Sequence, residues 1–264
     1  MRLKDKIAVV VGGGQQPGET IGNGRATCLR FAQEGAGVLV VDRDQALAEE
    51  TVQMIADSGG VASALAADIT DEARCAAIAS TAMERYGRID ILHNNVGRSR
   101  GDRETAEMDC DMWDELMDMN LKGMFMTCKH VLPVMRKQRS GVILNISSTS
   151  SICARQTVTY KTSKGAVNTL THHIAMENAS YGIRANAILP GLMDTPMAIV
   201  RRSTERGVDP EIIREERNVQ VPLGQQMGTA WDVANAALFL ASDEAKFITA
   251  VVLPVDGGML GRIG

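Results

Sequence analysis

The sequence predicts an α/β fold, a doubly wound seven-stranded parallel sheet with helices on both faces. Three observations predict it. Seven short apolar runs alternate with stretches of helical periodicity, a pattern that builds right-handed βαβ units around a parallel sheet. A glycine-rich turn joins the first apolar run to the first helical stretch, as nucleotide-binding α/β folds require. The composition, 45% hydrophobic and 23% charged over 264 residues, is that of an ordinary globular chain long enough for a large buried core.

Taken in order, Ile7–Val11 is an unbroken apolar run of strand length, and 22–34 is the first helical stretch. Val38–Val41 is the second strand, closed by Asp42, with helix 44–58 behind it. Ala62–Ala66 and Ile89–Leu92 are the third and fourth strands, separated by helix 71–86. The fifth and sixth, Val142–Ile146 and Arg184–Leu189, are flanked by helical stretches 111–137 and 158–180. Helix 229–241 precedes the last strand, Val251–Val255. Only 192–228 breaks the rhythm: it is polar and charged, with helical patches and no expected strand. It reads as an insertion over a site, so 1–264 is expected to form a single domain.

Composition also excludes whole classes of function. A net charge of −4 supplies no basic field for nucleic acid or an anionic membrane,. No run approaches the ~18 apolar residues of a membrane span, and Met1–Lys6 leads into a strand rather than a signal segment,. Five scattered cysteines, at 28, 75, 110, 128 and 153, form no C-x-x-C pair and read as reduced thiols of a cytoplasmic protein,. The four histidines give no H-x-x-x-H spacing, so no metal site is expected,.

Two constellations carry chemistry. Tyr160 and Lys164 are i and i+4 on a helical stretch, so they share one face, and Ser147 lies thirteen residues before Tyr160 at the end of an apolar run,. A phenol titrates near ~10, and a neighbouring ammonium favours its ionised form. The pair could then pass a proton to or from an alcohol oxygen near neutral pH; the spacing by itself also suits a plain surface helix. The second constellation is the turn from Val11 to Gly24, which contains Gly12, Gly18, Gly22 and Gly24 and opens directly into a helix. Glycines there let backbone N–H groups and a helix N-terminus approach a diphosphate. Asp42, eighteen residues after Gly24, stands where a carboxylate binds an adenosine ribose diol and repels a 2′-phosphate,. This favours NAD over NADP, although Asp42 could instead cap the next helix and Arg43 could accommodate a phosphate,.

Together these residues resemble the short-chain dehydrogenase/reductase family over essentially the whole chain. Asp68-Ile69 resembles its adenine-contacting pair, and Asn94-Asn-Val-Gly97 its N-N-A-G, with Val96 for alanine. Asn120, Ser147, Tyr160 and Lys164 match its catalytic tetrad, and Pro190-Gly191 with Met193 and Thr195 its nicotinamide segment. Val255-Asp-Gly-Gly258 resembles the end of its last strand. The resemblance implies a Rossmann-type domain that binds NAD and interconverts a secondary alcohol and a ketone. Tyr160 would be the acid/base, Ser147 would stabilise charge on the reacting oxygen, and Lys164 would depress the tyrosine pKa and bind ribose hydroxyls. Asn120 would hold a water linking Lys164 to solvent. The small-molecule substrate would meet Arg98, Thr149, Cys153, Leu192 and Met197, and helices 111–137 and 158–180 would build a homotetramer. An NADPH-linked 3-oxoacyl-(acyl-carrier-protein) reductase and a non-catalytic dinucleotide-binding sensor are the competing readings.

Three departures stand out. Val11 replaces the family's usual threonine, and six extra residues separate Gly12 from Gly22, so either Gly12 or Gly18 could open the turn. Gln15–Thr20 is expected to be a surface loop. Ala250, where glycine is usual, is expected to have no consequence.

Overall fold

The computed structural model describes residues 1–153 and 157–261. Strands β1 (Ile7–Val11), β2 (Gly37–Asp42) and β3 (Val61–Ala66) are separated by helices α1 (Asn23–Gln33) and α2 (Gln45–Asp57). Helix α3 (Glu72–Tyr86) leads to β4 (Ile91–Asn94), then α4 (Cys110–Met117) and α5 (Gly123–Gln138) to β5 (Gly141–Ile146). Helix α6 (Val158–Asn178) leads to β6 (Ile183–Pro190). After β6 come β7 (Met193–Asp194), α7 (Pro196–Arg206), α8 (Pro210–Asn218), β8 (Gly228–Thr229), α9 (Ala230–Ala241) and β9 (Val252–Val255).

The seven long strands form one parallel sheet in the order β3-β2-β1-β4-β5-β6-β9. Strand order reverses between β1 and β4, and in such sheets the crevice beyond the carboxyl ends at that point receives ligands. Period-two alternation sends successive β1 side chains to opposite layers. Val10 packs with Phe31 and Leu238 on the α1/α9 side, and Val9 and Val11 pack with Ile78, Met126 and Ile174 on the α3/α5/α6 side. Each fully buried side chain of this size contributes about 1.5–3 kcal/mol. Ala26, Ala230 and Ala234 form a small-residue seam between α1 and α9, which lets the two helices approach closely.

Helix ends follow local chemistry. Asp44 caps α2 by accepting the N–H groups of Ala46 and Leu47, and Asp71 caps α3 through Ala73 and Arg74,. Asp42 is therefore not the cap of α2; its carboxylate faces back to the glycine turn.

The structure corrects four expectations. The fourth strand begins at Ile91, not Ile89, and runs on through His93 and Asn94. Asp90 ends the preceding turn by accepting the Ile7 N–H at 2.8 Å and pairing with Arg88, while the polar residues that continue the strand are buried. The 111–137 stretch is not one uniform helix: Asp118–Lys122 is a π-helical turn between α4 and α5. The 192–228 segment does contain strands, since β7 and β8 pair in parallel through two residues each. It also has its own small core of Leu192, Ile199, Ile213, Val221 and Met227. Finally, Ala250 adopts φ 60° while donating to Ala185 O at 2.8 Å. That left-handed conformation is costly for a residue with a Cβ and free for glycine, so the departure at 250 is not inconsequential. Among the described residues, no helix is long and apolar enough to cross a membrane.

Candidate active site

The carboxyl end of β5 and the first turns of α6 are tied together by the residues singled out from sequence. Lys164 is buried, and its Nζ donates to Ile146 O at 2.8 Å and to Val96 O at 3.5 Å. Burial pushes its pKa down from 10.5 to about 7, because an ammonium loses hydration there. The same Nζ lies 5.8 Å from the centroid of the Tyr160 ring. Ser147 immediately follows β5; its N–H donates to Ile188 O at 2.8 Å and its Oγ to Lys164 O at 2.9 Å. An added Cβ at Gly97 would stand 2.8 Å from Lys164 Nζ, so glycine at the end of the β4 loop leaves the ammonium room.

Asn120 sits in the π turn, fully buried. Its amide brackets the backbone of Arg98, accepting from N and donating to O at 2.9 Å each, and it donates to Ser163 Oγ at 3.3 Å. Asn120 thus joins the β4 loop to α6 next to Lys164. The Arg98 guanidinium turns away and pairs with Glu115 on α4. Asn94 belongs to a buried network: it donates to Asn145 Oδ1 at 2.9 Å and accepts from Thr127 Oγ1 at 2.9 Å. Asn145 in turn donates to Thr171 Oγ1 at 2.9 Å. Four elements are thereby fixed beneath the site, with their polar groups satisfied.

The wall beyond Ser147 is a 3-10 turn, Thr149–Ser151. Thr149 is buried and donates to Pro190 O at 3.4 Å. Leu192 packs in the small core of the 192–228 segment, whereas Met197 is exposed on α7. Two positioning groups have no signal in the sequence. Lys161 Nζ donates to the carbonyls of Ser150, Ile152 and Cys153 at 3.4, 3.3 and 2.6 Å, pinning the turn that carries Cys153. Asp102, from the loop after β4, accepts the N–H groups of Thr159 and Tyr160 in the first turn of α6.

Across the crevice the glycine turn is closely packed. Gly12 has φ 82°, and a Cβ on Gly24 would overlap the Gly12 carbonyl oxygen. Gly12 therefore opens the turn, and Gly18 lies instead against Pro196. Gly22 N-caps α1 without a side-chain hydrogen bond of its own. Asn23 Oδ1, at the first helical position, is buried without a partner among the described residues. Asp42 accepts Gly14 N at 3.0 Å, and a Cβ on Gly14 would stand 2.8 Å from that carboxylate. Asp68 accepts from Thr70 N and Oγ1, and these bonds, with the Arg43 charge, hold its carboxyl below the usual range. Ile69 is buried against Gly123. Near β6, Gly191 N donates to Val255 O at 2.9 Å, and a Cβ on Gly191 would stand 2.7 Å from Asp256 Cα. The Met193 side chain joins the core under α9, and Thr195 is the buried N-cap of α7.

A helix N-terminus open to an anion, a carboxylate at the end of β2 and glycines that tolerate no Cβ fit a dinucleotide. The diphosphate would lie at α1 and the adenosine ribose at Asp42. A separate hollow of about 450 Å3 at the amino ends of the strands, lined by Lys6, Asp90, Arg184 and Lys246, contains none of these residues.

The chain is similar to known proteins in sequence and in fold. Residues 19–260 match a family described as enoyl-(acyl carrier protein) reductase. The chain is 36% identical to the 3-oxoacyl-(acyl-carrier-protein) reductase FabG of Thermotoga maritima, over 98% of this chain and 100% of that protein. It superposes with TM-score 0.94 on a Burkholderia xenovorans structure described as a short-chain dehydrogenase/reductase, 40% identical and covering 100% of this chain and 99% of that one. It also superposes with TM-score 0.85 on a 7α-hydroxysteroid dehydrogenase complexed with NADH and 7-oxo glycochenodeoxycholic acid. That protein is 32% identical, with 97% of this chain and 95% of that chain covered.

Proposed function

This chain belongs to the short-chain dehydrogenase/reductase family, and from that premise we propose that it is an NAD-dependent oxidoreductase interconverting a secondary alcohol and a ketone. Its relatives are dehydrogenases and reductases of CH–OH groups, and the family binds a nicotinamide dinucleotide. The observation that carries the reading is the place of Lys164 between the other two, its carbonyl accepting Ser147 Oγ and its Nζ 5.8 Å from the Tyr160 ring centroid, while Asp42 holds the glycine turn through Gly14.

In alcohol oxidation, the Tyr160 phenolate oxygen accepts the hydroxyl proton; in ketone reduction the phenol returns it. Ser147 Oγ donates to the reacting oxygen and stabilises negative charge there, exchanging its present bond to Lys164 O for one to substrate. The Lys164 ammonium favours the phenolate and would hold the ribose hydroxyls of a bound cofactor. The bound nicotinamide supplies the hydride acceptor or donor. Asn120, held between Arg98 and Ser163, keeps the β4 loop against α6 beside Lys164. Thr149, Cys153 and Leu192 bound the substrate side, with Met197 at its exposed edge. Arg98, already paired with Glu115, contributes its backbone rather than its charge.

Asp42 supports NAD, since its carboxylate would repel a 2′-phosphate, and Arg43 neighbours Asp68. The 36% identity to a 3-oxoacyl reductase favours a second reading, reduction of a 3-oxoacyl thioester with NADPH. We place the protein in the cytoplasm as a homotetramer; the exposed Phe125 with the half-buried Met117, Leu121 and Leu170 around it, between α4 and α6, suits subunit packing,. Initial rates at 340 nm with NAD and NADP across a panel of secondary alcohols and diols, and with NADH and NADPH on a 3-oxoacyl thioester, test these readings. Turnover confined to the thioester with NADPH would replace the first by the second.

A further inference from the structure

The six-residue enlargement of the glycine turn is exposed at its tip, but it is not a free surface loop. Arg214 of α8 directs each guanidinium nitrogen to a different carboxylate: Nη2 to Glu19 at 2.9 Å, Nε to Asp194 at 3.2 Å and Nη1 to Glu211 at 3.2 Å. Thr20 Oγ1 adds a bond to Asp194 Oδ1 at 3.4 Å. Gly18 lies so close to Pro196 that a Cβ there would stand 2.8 Å from the proline Cβ. Inside the enlargement, Gln15 holds the loop in shape, donating to Thr20 O at 3.0 Å and accepting from Gly22 N at 2.6 Å.

These contacts join two segments that the sheet keeps apart. The glycine turn leaves β1 and the 192–228 segment leaves β6, with β4 and β5 between them, a separation of three strand spacings, about 14 Å. The carboxyl ends of β4 and β5, which carry Asn95, Gly97 and Ser147, lie between the two anchors. Residues 15–20 meet residues from beyond β6, and Arg214 holds the junction. We propose that this junction is a strap across the cofactor crevice, and that the Arg214–Glu19 ion pair must part before a dinucleotide can enter or leave. The proposal rests on the dinucleotide-binding reading above and adds a positioning residue, Arg214, that controls release. Glu19 is largely solvent-exposed, and ion pairs of that kind are weak and screened by salt, which suits a contact that opens in every catalytic cycle.

The test is NADH release from Arg214→Met, Glu19→Gln and the double variant, followed by stopped-flow fluorescence during a chase with excess NAD. Hydrogen exchange at residues 15–20 of the ligand-free proteins is measured in parallel. Each single variant should release NADH about three- to tenfold faster, the double variant no faster than the singles, and 15–20 should exchange faster in all three. Wild-type release should accelerate between 50 mM and 500 mM NaCl (about 0.05 and 0.5 M, a change that shortens the screening length several-fold), with the variants nearly flat. Release rates unchanged in both single variants, or effects that add in the double, overturn the strap. Failure of the wild type to bind either NADH or NADPH overturns the dinucleotide reading, and with it the release role. The exchange data on the ligand-free proteins then decide separately whether Arg214 holds the loop.

Discussion

The Asp102 carboxylate accepts the backbone N–H of Tyr160 at 2.6 Å and that of Thr159 at 3.1 Å. The N-cap of α6 by position, Thr157, makes no side-chain bond to the helix, so the cap comes from a loop 58 residues away from Tyr160. That loop also carries Arg98, whose backbone Asn120 brackets. One carboxylate thus sets the position of the proposed acid/base relative to the β4 loop. Asp102→Ala should cost about 1 kcal/mol in urea unfolding and lower kcat by roughly tenfold through misplacement of Tyr160. Asp102→Asn keeps one acceptor oxygen for the two N–H groups that Oδ1 and Oδ2 now accept separately, so it should recover only part of both. Equal damage from the two substitutions would show that both acceptor oxygens are needed.

Lys164 gives stability a pH dependence with a definite sign. Its pKa is about 7 in the folded chain against 10.5 as the ordinary value. Between those values the unfolded chain binds more protons at this site, so stability should rise with pH. Below about pH 7 the penalty for a buried ammonium is fully present. Urea midpoints of the ligand-free wild type should therefore climb from pH 7 to pH 9 relative to those of Lys164→Met (about two pH units within the window between the two pKa values). A constant difference across that range would refute the assignment.

Tyr160→Phe removes the proton carrier and little volume. Turnover should fall to below about 1% of wild type, while NADH affinity measured by fluorescence titration stays within about threefold. Activity above a few per cent would remove Tyr160 from its proposed role.

Asp42→Ala removes the acceptor for ribose hydroxyls and the charge that repels a 2′-phosphate. The KM for NAD should rise by about tenfold or more, the scale of a lost hydrogen bond to a charged group. The KM for NADP should change far less or fall, narrowing the preference. An unaltered NAD/NADP ratio would place cofactor selection elsewhere.

The strand–helix alternation was legible because both periods are written in apolar residues, and β1, β2 and β5 lie close to where their apolar runs predict. Legibility failed where polarity and burial part company. His93 and Asn94 extend β4 into the core, one against the edge of Phe31 and the other in an amide network, and hydropathy hides both. Within the candidate site, Ser147, Tyr160 and Lys164 stood out through a one-turn spacing that suits a plain helix by itself and gains meaning only with the resemblance to a known family. Asp102, Lys161 and Arg214 did not, since each acts on backbone or on side chains brought near only by the fold; Glu19 and Arg214 are 195 residues apart. Ala250 shows the converse: the letter is unremarkable, and only its φ of 60° reveals what it costs.

The π turn at Asp118–Lys122 holds one residue more than an α-helical turn would use,. Removing one residue there would let α4 run directly into α5, a gain in helical regularity. It would also rotate one half against the other by about 100°, swinging Leu116 and Met124 out of their shared register with the core and carrying Asn120 away from Arg98 and Ser163. Shortening this helix by a single residue should thus be worse than most point substitutions within it. The surplus residue marks where the aim of one amide has been kept at the expense of an ideal helix, and chains differing in length at this point should differ in reaction as well as in stability.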